Sequence, residues 1–112
     1  MLMDRLEEYG ADTKSAMARF LDDEELYVSC FASFLDDEAF SQLDDALGRG
    51  DYEQAFEAAH TLKGVAGNMG LTPLYHAICD IVESLRMKEV SNIAELHAVI
   101  SDQHEVLRRL ED

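Results

Sequence analysis

The segment YEQAFEAAHTLKGVAGNM, residues 52–69, holds the residues best suited to chemistry: Phe56, His60, Lys63, Gly64 and Gly67. Read as a helix, it buries Ala55, Ala59, Leu62, Ala66 and Met69 along a stripe with alternating steps of four and three. His60 falls off that stripe, with Phe56 one turn before it and Lys63 and Gly64 one turn after. Glycine inside a helix is unfavourable by about 1 kcal/mol relative to alanine, so Gly64 and Gly67 call for a reason. They clear the helix surface beside the His60 ring. A neutral imidazole is a nucleophile, and an exposed one is largely neutral at pH 7. An ammonium one turn away can face phosphoryl oxygens as a point charge. A bare helix face admits a partner's carboxylate in line with the ring. Phosphoryl transfer is mostly positioning and charge neutralisation, so this small set of residues is sufficient for it.

Other chemistries fit less well. Glu57 and His60 form a Glu-x-x-His pair of the kind that di-iron bundles use. Such a site needs a second pair, and the residues three before His76, His97 and His104 are Pro73, Ala94 and Ser101. No nucleotide-binding loop occurs. His76, His97 and His104 fall on polar stripes and are expected to be solvated. Cys30 and Cys79 have no zinc or redox spacing and read as reduced thiols in or near the core. Arg86 and Lys88 add positive charge at one end of the fold.

The elements that position His60 are helical throughout. Residues 2–9 form a short helix stopped by Gly10, and Asp12 caps a second with Met17, Phe20 and Leu21 inward. Asp22, with Glu25, begins a third whose apolar face is Leu26 or Tyr27, Cys30, Phe31 and Phe34. Residues 23–48 read as one kinked helix or two, interrupted at Asp36-Asp37-Glu38 and resumed by Phe40, Leu43 and Leu47. Gly48-Arg49-Gly50 ends that stretch, and Asp51 with Gln54 starts the helix of His60, which Gly70 terminates. Thr72 caps the next, with Pro73 at its first position. Its core face is Leu74, Ala77, Ile78, Ile81, Val82 and Leu85. The last helix starts at Asn92 and turns Ile93, Leu96, Val99, Ile100, Val106, Leu107 and Leu110 inward. Helices of this length with short connections predict an all-α, up-down antiparallel four-helix bundle with short extra N-terminal helices, one domain over residues 1–112.

Composition narrows the partners. The net charge is −15, and residues 1–57 carry 16 acids against four bases. Residues 58–112 carry eight against five, so the half with His60 is the one suited to an anion. Such a surface disfavours nucleic acid and anionic membranes. No apolar run reaches the length of a membrane span and the start lacks a signal-peptide pattern, which leads us to expect a cytoplasmic protein.

His60-Thr61-Leu62-Lys63-Gly64-Val65-Ala66, with Gly70 four residues beyond, resembles the histidine-containing phosphotransfer (HPt) pattern H-x-L-K-G-x-[AS]-x-x-x-G. The Gly50-Asp51 turn before the helix extends the likeness, which covers essentially the whole chain. The resemblance implies that His60 accepts a phosphoryl group from one receiver-domain aspartyl phosphate and donates it to another. It implies that Lys63 stabilises that group and that Gly64 allows close docking. Gly67 and Phe56, from their places on the same face, are the further docking candidates, Gly67 being otherwise a packing glycine and Phe56 otherwise partly core. The expected partners are response-regulator receiver domains and a hybrid sensor kinase. The chain would act as a monomeric carrier without kinase activity, binding no cofactor itself, with Mg²⁺ supplied by the receiver. The alternative is a non-catalytic acidic helical adaptor that binds receiver or other protein domains without being phosphorylated.

Overall fold

The computed structural model describes residues 1–111. They form seven helices: α1 Leu2–Tyr9, α2 Thr13–Arg19, α3 Glu24–Leu35, α4 Glu38–Arg49, α5 Tyr52–Asn68, α6 Thr72–Arg86 and α7 Ile93–Glu111. No strand occurs among the described residues. Two residues join α4 to α5, three join α5 to α6 and six join α6 to α7. Links that short turn each helix back along its predecessor, giving the expected antiparallel bundle. α5 packs between α4 and α6, and α6 packs on α7. Phe40 of α4 stacks on His104 of α7, ring centroids 3.7 Å apart, and closes the bundle.

Side-chain caps set most helix starts. Asp12, Asp37 and Asp51 each accept a backbone N–H from the first turn of α2, α4 and α5. Gly50 ends α4 at φ 70°, a left-handed conformation that glycine adopts without steric penalty. Residues 23–48 are two helices, because Asp36 and Asp37 leave the helical path and Asp37 caps anew. Of the Leu26–Tyr27 alternatives, Tyr27 is the buried one.

Several expectations are corrected. Leu21 does not face inward: it is 88% exposed at φ 56°, in a turn that lets Phe20 pack edge-on against Tyr27 instead. Asp22, at φ 60°, belongs to that turn, and Asp23 is the cap of α3, accepting from Leu26 N–H. Thr72 is already helical and its hydroxyl donates back to the Gly70 carbonyl, so α6 starts without a side-chain cap and Pro73 stands second. Val99 is exposed, because α7 rests on its neighbours through Ile100 and Leu107. His97 and His104 are half-buried. The His104 Nε2 lies 2.8 Å from the Leu35 carbonyl, which also accepts from Arg108, so α7 holds the last turn of α3. His97 lies 3.6 Å from Asp44 of α4. Only His76 is as exposed as expected.

α1 is tied to α7 by Arg5 donating to the Leu110 carbonyl and by Tyr9 donating to Gln103. Burial pushes the Tyr9 phenol up to about 12. Cys30 and Cys79 are free thiols, each half-buried.

Candidate functional site

α5 lies at the centre of the bundle, and its composition explains how. Ala55, Ala58, Ala59 and Ala66 are buried with Leu62, so the inward face is nearly all small. Small side chains let α4 and α6 approach closely on both sides. Off that inward face lies the strip Phe56, His60, Lys63, Gly64 and Gly67, of which His60 and Gly64 are exposed and the rest half-buried.

His60 is exposed. The histidine ring contacts to polar groups in this structure belong to His104 and His97; among the described residues His60 has none. Its ring instead stacks on Phe56, centroids 5.9 Å apart and planes 21° from parallel. Phe56 is half-buried against the core, and the Arg86 guanidinium carbon stands 5.8 Å from its ring centroid. Arg86 also pairs with Glu83 at 2.9 Å. This places Arg86, in the last turn of α6, beside the strip, a position which the sequence leaves open. Beyond Phe56 a groove of about 820 Å³ runs between Tyr52, Leu85, Lys88 and Val90.

On the other side of His60 lies a shallow depression of about 300 Å³, lined also by Lys63, Gly64, Gly67, Asn68 and Tyr75. Lys63 is half-buried and joins no ion pair among the described residues. Gly64 is exposed, and a Cβ built on it would meet nothing within 4 Å. Gly67 differs: a Cβ there would stand 3.1 Å from Cε1 of Tyr75. Its bareness seats the Tyr75 ring of α6. Tyr75 is the lining residue that sequence reasoning missed, since the register of α6 against α5 has no local signal. The Cys79 thiol beside its hydroxyl raises the Tyr75 pKa above the ordinary phenol value.

The far end of α5 is fastened by the N-terminal helices. Arg19 donates to the carbonyls of Asn68 at 2.9 Å and Gly67 at 3.0 Å. The buried Tyr27 hydroxyl donates to the Met69 carbonyl at 2.7 Å, and burial pushes that phenol up to about 12. Asp12 N–H donates to the Gly70 carbonyl at 2.8 Å. Terminal helix carbonyls lack partners within their own helix, so these donors supply what α5 cannot. Gly70 itself has φ 69°, and a Cβ on it would fall 2.5 Å from the Asp12 carbonyl oxygen. No other residue fits that position without moving the backbone of the α1–α2 turn.

Among the described residues, no three His, Cys, Asp or Glu side chains are arranged to hold a metal ion. No described helix is long and apolar enough to cross a membrane. No curated protein and no solved structure matches the chain significantly. A family model does match: that of the Hpt domain, over residues 28–110, from within α3 to the last turn of α7. Since that stretch is most of the chain and contains the whole of α5, the chain belongs to the Hpt domain family, whose helical bundles carry out histidine phosphotransfer with receiver domains in phosphorelays.

Proposed function

We propose that this chain is a phosphorelay carrier that holds the phosphoryl group on His60. The observation that supports this reading best is the placement of an exposed imidazole with Lys63 and the open Gly64 surface on one side of α5. In the forward step the lone pair of a neutral His60 ring nitrogen attacks the phosphorus of a receiver's aspartyl phosphate. The N–P bond forms as the bond from phosphorus to the aspartyl oxygen breaks. That oxygen leaves with the electron pair as carboxylate, and the ring keeps its proton on the other nitrogen. Donation to a second receiver is the reverse reaction on another aspartate. The Lys63 ammonium faces the phosphoryl oxygens as charge spreads over them. Gly64 leaves room for the receiver's acidic pocket, and Mg²⁺ held in that pocket supplies the remaining neutralisation. Gly67 shapes the wall of the depression by seating Tyr75. The hybrid kinase and the response regulator each present a receiver to the same strip, and the carrier works as a cytoplasmic monomer.

The test is incubation of the full chain with a phosphorylated receiver domain. Acid-labile, alkali-stable phosphate is expected on the wild type and none on His60→Gln. Label persisting on His60→Gln refutes the site. A stable complex with an unlabelled wild type makes the chain an adaptor.

A further inference from the structure

We infer that Phe56 is a positioning residue for the phosphotransfer, setting the orientation of the His60 ring; this rests on the reading of His60 as the acceptor. A reactive histidine is commonly oriented by a hydrogen bond to its second ring nitrogen. Among the described residues His60 has no such partner. An exposed ring without one turns about two side-chain bonds and spends only part of its time pointing a nitrogen at the partner. Phe56 removes that freedom by another route. It stands four residues earlier on α5, where side chains meet. The separation of 5.9 Å and the angle of 21° are those of an offset stack. Phe56 is itself held, by its seat against the core and by the Arg86 guanidinium near its ring.

The geometry suits the reaction. The nucleophilic lone pair of an imidazole lies in the plane of the ring. A stacked phenyl lies against a face of the imidazole and not against its edge, where the nitrogens are. Lys63 and the bare Gly64 lie one turn beyond the same ring. The stack therefore restrains the ring without occupying the approach.

The test separates orientation from docking with phosphoramidate, a small donor that needs no docking surface. Wild type, Phe56→Leu, Phe56→Met and Phe56→Tyr are compared, after melting curves show which are folded. Loss of an aromatic pair of this kind corresponds to roughly three- to tenfold in a population ratio. Labelling of Phe56→Leu and Phe56→Met by phosphoramidate should slow by up to that factor, because the ring then spends less time facing the depression it shares with Lys63, with Phe56→Tyr near wild type. The side-chain couplings of His60, measured by NMR, should change from one rotamer to an average in the same two variants. Wild-type labelling by phosphoramidate in Phe56→Leu, with only receiver-dependent transfer lost, would overturn the inference and leave Phe56 a docking contact. If wild type accepts phosphate from neither donor, the reading of His60 as acceptor fails. The couplings then still decide the stack, and averaged values in wild type would overturn it.

Discussion

Replacing Gly64 by alanine should raise stability and leave the fold unchanged. In a helix interior the change is worth up to about 1 kcal/mol, because alanine loses less backbone freedom on folding. The full gain is available only where the methyl meets no obstacle, and at Gly64 it meets nothing within 4 Å. For a domain of this size the gain corresponds to a melting temperature higher by roughly 3–6 °C. The two other glycines nearby give the comparison. At Gly67 the methyl would stand 3.1 Å and 3.3 Å from ring carbons of Tyr75. The ring must shift, so the helix gain is offset and the melting temperature stays level or falls slightly. Gly70→Ala adds a left-handed penalty of about 1–2 kcal/mol to a methyl forced against the Asp12 backbone carbonyl. That carbonyl sits on the residue whose N–H bonds Gly70, so relief of the clash breaks the bond. Circular dichroism melts should therefore rank Gly64→Ala above wild type, Gly67→Ala at or below it and Gly70→Ala far below. Transfer from a phosphorylated receiver should run the other way at residue 64, with Gly64→Gln slowed by about a hundredfold because reacting groups tolerate little displacement. A lower melting temperature for Gly64→Ala, or undiminished transfer by Gly64→Gln, would show that this strip of α5 is not an open docking face.

Two further predictions concern the phenols of Tyr9 and Tyr27. Tyr27→Phe leaves the Met69 carbonyl without its buried donor and should lower stability by about 1–3 kcal/mol, read as a shifted urea midpoint with unchanged slope. A midpoint equal to wild type would mean that solvent reaches that carbonyl. Tyr9 and Tyr27 ionise at about 12 when folded, against 10.0 in the open chain. Their contribution is therefore complete below pH 10 and declines as pH rises toward 12. Melting temperature should fall across that window, less steeply in Tyr27→Phe. A flat profile would refute the burial of these hydroxyls.

Much of α5 is legible locally. Asp51 marks its start, Gly70 its end, and the alanine stripe fixes which side His60 occupies. The whole bundle order follows from such signals because its connections are short. What escapes is long-range pairing. His104 lies on a polar stripe of α7, yet it is half-buried, since the end of α3 presents the Leu35 carbonyl to it. Val99 is apolar at helical spacing and still exposed, because α7 turns Ile100 and Leu107 inward instead. Leu21 looks like a core residue until two successive left-handed residues turn it outward. The seat of Tyr75 on Gly67 and the bonds from Arg19 join residues far apart in the chain, and no local pattern encodes them.

Those bonds bear on how the molecule assembles during synthesis. Arg19 and Tyr27 leave the ribosome early, yet their acceptors on Gly67, Asn68 and Met69 follow 42 to 49 residues later. α1, α2 and the first turn of α3 lie outside the stretch matched by the family model, and the partners that hold them, on the end of α5 and on α7, come later in the chain. Closing so long a loop is slow compared with winding a single helix. The α5–α6 corner is thus locked by helices made before it. A nascent chain paused before residue 67 should leave its N-terminal helices open to protease, and one released past residue 110, with α7 in place to hold α1, should protect them.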